Sequence, residues 1–322
     1  MAEDSPPVAY EDLASLEDEF DDVDTQIMRT QYELQKPLYA KRKETLAKIP
    51  NFWPLVFEQA PPEIDQYIQT EDSRVFADSL ESIEVIRSEL EKDGKNGSPR
   101  SLRIAFNFKA NDQFEDTQLV KDFHWRRASD GWTGLVSEPV RVQWKSGNDL
   151  SHGLTEMAYK LFEARKKGGD MTNRKLPEYN KLKKEIESWN ARNTSFFTWF
   201  AWVSDRRYVS AEESAKANKE FDELKEKRKN GEKVDMPEPN EEDIGANDDS
   251  EVEAMEDGED LAISIADELW PNAIKYFTQA QELDDMSEMD FEEDDEDDED
   301  TPVDIRSLVQ RDDGPPSKKQ KK

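Results

Sequence analysis

Apolar residues near the start of the chain fall at Leu13, Leu16, Phe20, Val23, Ile27 and Leu34, with Thr30 in the one slot that breaks the row. Steps of three and four alternate, which marks a heptad seam on one face of a helix. Carried through Leu38, Leu46 and Ile49 to the stop at Pro50, the pattern predicts a helix over residues 10–49, roughly 55 Å long at about 1.5 Å per residue. Pro37 lies inside it. A proline removes one backbone donor and crowds the preceding turn at a cost of about 3 kcal/mol, so a bend is expected near residues 35–38. The stripe is longer than a small domain covers, and Glu17, Asp18, Asp21, Asp22 and Asp24 give the helix an acidic outer face. The reading is an intermolecular coiled coil with Leu13, Leu16, Phe20, Val23, Ile27, Leu34 and Leu38 as its dimer interface.

The period then changes. After helical candidates at 55–59 and 63–70, each introduced by proline, Leu102, Ile104, Phe106 and Phe108 alternate with Arg103, Ala105 and Asn107, as in a half-buried strand. Val140, Val142 and Trp144 repeat the alternation, and weaker strands lie around 82–90 and 119–126. Turn signals at Asp93-Gly94, Asn96-Gly97, Asn111-Asp112 and Asp130-Gly131 separate them, so a four-stranded antiparallel meander is the simplest arrangement. Residues 149–204 read as helical, with Met157, Leu161, Tyr179, Leu182, Ile186 and Trp189 at helical spacing before the aromatic cluster Phe196, Phe197, Trp199, Phe200 and Trp202. The fold class is α+β: a long N-terminal dimerisation helix, then a four-stranded antiparallel sheet covered by helices over residues 50–210. Residues 211–260 read as a flexible acidic insertion with a helical start up to about Lys229. Residues 261–283 form a further helix of the domain, interrupted at Pro271.

Charge adds the ends. Of 322 residues, 76 are Asp or Glu against 44 Lys or Arg, for a net charge of -32. Residues 241–300 hold 27 acidic residues and one basic, Lys275, so the acidity is concentrated in the last quarter of the chain. Glu292, Glu293, Asp294, Asp295, Glu296, Asp297, Asp298, Glu299 and Asp300 are consecutive. Extended chain spaces them about 3.4 Å apart, well inside the roughly 8 Å screening length at physiological salt, so they repel one another and resist folding. Residues 1–9 and 284–322 are expected to be disordered, the latter an acidic tail ending in Lys318, Lys319, Lys321 and Lys322, which resemble a short nuclear localisation signal. Such a chain attracts basic partners and repels nucleic acid and anionic membranes.

Candidate chemistry is sparse. With no Cys there are no disulfides, thiolate metal sites or thiol nucleophiles, and the first ten residues lack a signal-peptide pattern, so an intracellular protein is expected. No apolar run approaches the roughly 20 residues that cross a bilayer. His124 and His152 lie in unrelated segments, and His124, flanked by Phe123 and Trp125 on a strand, reads as a half-exposed structural imidazole. No phosphate-binding loop, nucleophile elbow or metalloprotease motif occurs, and the acidic run lacks the spacing of a calcium loop. The reading is a protein without catalytic residues, cofactor or metal.

Four stretches carry a resemblance: Ile49-Pro50-Asn51-Phe52-Trp53, Gln143-Trp144-Lys145-Ser146-Gly147, Ser195-Phe196-Phe197-Thr198-Trp199-Phe200, and Asp267-Glu268-Leu269-Trp270-Pro271-Asn272. In this order, and with the acidic tail, the chain resembles the SET (template-activating factor) branch of the nucleosome assembly protein family. The resemblance implies a headphone-shaped dimer of paired backbone helices carrying α+β "earmuff" domains, and a nuclear histone chaperone that assists nucleosome assembly and disassembly. It implies that core histones are held by the lower earmuff surface, where it places Asp267 and Glu268, and by the carboxylates of 292–300. The family also includes inhibitors of a protein phosphatase and partners of histone acetyltransferases, which gives a second reading as a regulatory inhibitor or cofactor of such an enzyme. Residues 211–260 are longer than the family pattern leads one to expect.

Overall fold

The computed structural model describes residues 10–92, 97–188, 195–229 and 252–290. The expectations placed on 1–9, on Trp189, on the carboxylates of 292–300 and on the terminal lysines lie outside the described residues. Helix α1, Tyr10–Leu46, runs through Pro37 without a break. Contacts to the rest of the chain hold it on both sides of that residue: Lys36 pairs with Glu91 at 2.6 Å before it, and Lys43 with Glu84 at 3.2 Å after it. The helix ends at Leu46 rather than Ile49, and Asn51 makes the corner into α2 (Phe52–Glu58) with a left-handed φ of 55°, which a short polar side chain tolerates best after glycine.

Helices α3 (Pro62–Asp65) and α4 (Thr70–Ser79) follow, so the single helix expected at 63–70 is two, and α4 extends well past it. The sheet is an antiparallel meander in the order β1-β2-β3-β4, formed by Leu80–Ile86, Leu102–Phe108, Gln118–Arg127 and Thr133–Ser137. A register shift between Leu80 and Ser82 marks a bulge in β1. Two strand assignments are corrected. β1 stops at Ile86, and the chain turns at once into α5, Ser88–Lys92. The fourth strand is Thr133–Ser137, not 140–144. β4 follows β3 directly through the Asp130-Gly131 turn and is buried at four successive positions, so it carries no alternation to read. The alternating segment is extended, but its backbone bonds go to Phe200 and to the 113–116 turn, and Trp144 makes only an isolated bridge with Phe114.

Helices α6 (Leu154–Gly168) and α7 (Pro177–Ser188) pack as a hairpin, and a 3-10 helix, Phe196–Ala201, lies against the sheet. Phe196, Phe197, Trp199 and Phe200 are fully buried and meet Phe57, Phe76, Phe106 and Phe114 at ring-centroid distances between 5.2 and 6.4 Å. Helix α8, Ala211–Lys229, begins the segment expected to be a flexible insertion. It packs on β3 and α1: Ser214 and Ala217 are buried, and the Arg127 guanidinium lies 3.7 Å from the Phe221 ring centre. Residues 252–257, expected in the same insertion, also pack on the domain, with Ala254 and Met255 buried. The chain closes with α9 (Gly258–Ser264), a π-helical turn at Ile265–Leu269 and α10 (Ala273–Asp290), the break falling at Pro271 as expected. No helix among the described residues is long and apolar enough to cross a membrane.

Candidate functional site

The two faces of α1 behave differently. Asp18 accepts from Arg228 at 3.0 Å, Asp21 from Arg100 at 2.6 Å and Asp22 from Lys225 at 2.7 Å. These carboxylates therefore face the protein's own α8 and β2 approach, not an outer acidic face. Further along, Tyr32 donates to Glu91 at 2.6 Å, and Arg42 donates to the Trp270 carbonyl at 2.6 Å while its guanidinium stacks over Tyr39 and Trp270. The opposite stripe is bare. Leu13, Leu16, Phe20, Val23, Ile27, Leu34 and Leu38 are all between 50% and 69% exposed. Scattered surface leucines are ordinary, whereas a row of seven large exposed apolar side chains along one helix face is not.

The motif residues are packing devices. Trp53 stacks on Trp270 at 5.4 Å with their planes 4° apart, joining two of the four stretches beneath the C-terminal half of α1. Trp144 donates to Thr155 at 3.0 Å, tying the third to α6. Ser195 donates to the buried Asp72, which also accepts the Gln69 and Phe196 amides at 2.9 and 2.7 Å and so clamps the start of α4 to the 3-10 helix. Burial pushes the Asp72 carboxyl up to about 6 despite these bonds.

Asp267 and Glu268 lie in the π-helical turn at the joint between α1 and the domain. Asp267 accepts from Arg87 at 2.5 Å and stays half exposed; it lines a groove of about 440 Å³ with Tyr32, Tyr39 and Trp270. Glu268 accepts from the Tyr276 hydroxyl at 2.7 Å. Burial and this carboxylate push the Tyr276 hydroxyl up to about 12. His124 is half-buried on β3, 3.7 Å from Glu89, as a structural imidazole would be. Among the described residues no group of three or more His, Asp or Glu is arranged to hold a metal ion.

Glu259 accepts the Leu135 amide at 3.2 Å. Burial raises its carboxyl to about 7, helped by Asp205 and Asp260, and Asp205 is raised by burial with Asp260 and Asp257. A carboxyl raised in the folded state binds its proton more tightly there than in the unfolded chain. The stability it contributes is therefore present below the ordinary carboxylate range and is lost as pH rises towards 7. Between pH 5 and 8 the urea midpoint of the native protein is expected to fall relative to that of Glu259→Gln, which keeps both hydrogen-bonding roles without the charge. Parallel midpoints would contradict this linkage.

The sequence matches the nucleosome assembly protein family over residues 10–280. The chain belongs to the nucleosome assembly protein family. It is 32% identical to a putative nucleosome assembly protein of Schizosaccharomyces pombe over 98% of this chain and 97% of that protein. It is also 29% identical to Protein SET of Drosophila melanogaster, over 53% of this chain and 51% of that one. The crystal structure of a Ccp1 mutant superposes with a TM-score of 0.50 at 27% identity, covering 86% of this chain and 97% of that one. The α+β fold with its long N-terminal helix is thus that of the nucleosome assembly proteins. Sequence reasoning did not find the fastening of α1 by Arg100, Lys225 and Arg228, because those partners lie 79 to 210 residues away. It also did not find Lys121, a lysine wholly inside the domain. Its place between Leu119 and Phe123, at the same face of an alternating strand, was the available signal.

Proposed function

We propose that the protein is a dimeric, non-enzymatic chaperone of core histones, acting in the nucleus in nucleosome assembly and disassembly. The observation that carries the reading is the division of α1: one face is fastened to its own domain, and the other leaves seven large apolar residues exposed, a row that a second copy would cover. Pairing there yields a body with two acidic tails. The carboxylates of 292–300 supply long-range attraction for histone lysines and arginines, and Asp267 and Glu268 at the joint supply fixed positions for them. A histone guanidinium reaching Asp267 displaces Arg87, so the contact is an exchange of ion pairs rather than a new charge neutralised. Lys318, Lys319, Lys321 and Lys322 serve as the import signal. No observation among the described residues favours the phosphatase or acetyltransferase reading.

The test mixes core histones with DNA at low salt and measures how much precipitate the protein prevents. The full chain is expected to keep the mixture soluble. Truncation after Glu282 is expected to weaken histone affinity and flatten its dependence on salt while preserving stoichiometry, since the body retains its own contacts. Precipitation unchanged by the full chain would refute the chaperone reading. A truncated protein with no histone binding at low salt would refute the role given to Asp267 and Glu268.

A further inference from the structure

In a chain of net charge -32, the α6–α7 hairpin has the opposite sign. Residues 160–184, most of the α6–α7 hairpin, hold nine basic and three acidic residues. Lys166, Lys167, Lys175, Lys181, Lys183 and Lys184 are all exposed. Lys166 reaches Glu138 at 3.5 Å and Lys183 reaches Glu187 at 4.0 Å, one helical turn away. Lys167, Lys175, Lys181 and Lys184 form no ion pair among the described residues. Exposed like charges this dense repel one another within the roughly 8 Å screening length, and a polyanion relieves that repulsion.

The chain itself delivers one to this place. Val252 packs against the hairpin's apolar cluster of Leu154, Leu161, Tyr179 and Leu182, and Ala254 is part of that cluster. The Glu253 side chain is partly open to solvent, but its carboxylate end is enclosed, accepting the amides of Val203, Ser204 and Ala254 at 3.0 to 3.3 Å. The return of the chain after residue 251 is therefore seated on α6–α7. The eleven residues before that seat, 241–251, contain six carboxylates and no basic residue. At no more than about 3.4 Å per residue, every one of them lies within roughly 37 Å of contour from the hairpin, enough to run along α7, about 18 Å long at 1.5 Å per residue.

We propose that the lysine face of the α6–α7 hairpin is the docking surface for the acidic stretch 241–251 of the same chain, which thereby keeps nucleic acid off this basic surface. Tethering favours this occupant over DNA: a segment held a few residues from its site competes at an effective concentration on the order of millimolar, and the surrounding carboxylates repel phosphate. The inference is independent of the histone reading; a chain that failed every histone assay would still show the contact.

A zero-length carbodiimide, which joins amines to touching carboxylates, tests it on the full-length protein. Mass spectrometry is expected to find links from Lys167, Lys175, Lys181, Lys183 or Lys184 to carboxylates of 241–251, fading at 1 M salt, where the screening length is about 3 Å. Links from these lysines only to 292–300, or links joining isotopically labelled to unlabelled chains in a mixed sample, would overturn the assignment. Replacing the six carboxylates by their amides is expected to raise affinity for a 20-base-pair duplex by about tenfold at low salt in fluorescence anisotropy. Adding Lys181→Glu, Lys183→Glu and Lys184→Glu is expected to abolish that gain. An unchanged affinity for DNA after the amide replacement would overturn the shielding role.

Discussion

Replacing Leu16, Val23 and Ile27 with aspartate is expected to convert the proposed dimer to a monomer. Each is about half exposed in the single chain, between 50% and 55%. Covering the remainder is worth roughly half of the 1.5–3 kcal/mol of full burial, or about 1 kcal/mol each. Two copies contribute six such side chains, so the seam loses about 6 kcal/mol before any aspartate is desolvated. That is more than four decades of affinity at about 1.4 kcal/mol per decade. The domain itself should survive, because the face of α1 that holds it uses Asp18, Asp21, Asp22, Tyr32 and Arg42, none of which is changed. Light scattering on a size-exclusion column is the measurement, with near-ultraviolet circular dichroism as the control for folding. A chain of 37.4 kDa eluting at twice that mass, with the triple substitution in place at micromolar concentration, would sink the coiled-coil reading.

Periodicity revealed what depends on local repetition. The α1 seam and strands β2 and β3 each bury or present one face at a fixed spacing, and that spacing is written in consecutive residues. What it missed depends on partners far apart in the chain. The acidic row Asp18, Asp21 and Asp22 looked like a solvent face because its arginine and lysine partners are on β2's approach and on α8. Helix α8 looked unanchored because its attachment is made by guanidinium groups, a ring and one serine rather than by an apolar stripe. β4 was hidden for the opposite reason, being buried on both faces. The alternation of Val140, Val142 and Trp144 was real but reports an extended chain against the core, and the pattern does not distinguish that from a strand in a ladder. At the candidate site, the apolar row from Leu13 to Leu38 was legible in the spacing and is exposed in the single chain. The fixed carboxylates Asp267 and Glu268 were placed by resemblance, and their neighbours Arg87 and Tyr276 come only from the fold.

Lys121 is expected to be the most costly polar side chain to remove from the domain. It is wholly buried, and its ammonium donates to the carbonyls of Trp202, Phe200 and Glu138 at 2.8, 3.1 and 3.4 Å. Burial pushes its pKa down to about 7, with the enclosed Glu253 carboxylate opposing the shift. Three carbonyl acceptors around one nitrogen are matched by the three donors of an ammonium. Phe200 and Glu138 have second donors in the Val140 amide and the Ser137 hydroxyl, so the Trp202 carbonyl depends on Lys121 most. Lys121→Met, which keeps the volume, should therefore cost about 1–3 kcal/mol for a carbonyl left without a partner. Lys121→Ala, which also opens a cavity beside Phe123, should cost roughly 3–5 kcal/mol. Because the folded-state pKa is depressed, the native protein binds fewer protons than the unfolded chain between about pH 7 and the ordinary lysine range near 10.4. The Lys121 contribution to stability should therefore rise with pH across that window, so the native chain should gain stability relative to Lys121→Met between pH 7 and 9. Urea unfolding of the three proteins at pH 7 and 9 measures both effects. A methionine variant as stable as the native chain at both values would show that the lysine is carried by the fold rather than holding the aromatic 3-10 helix to the sheet.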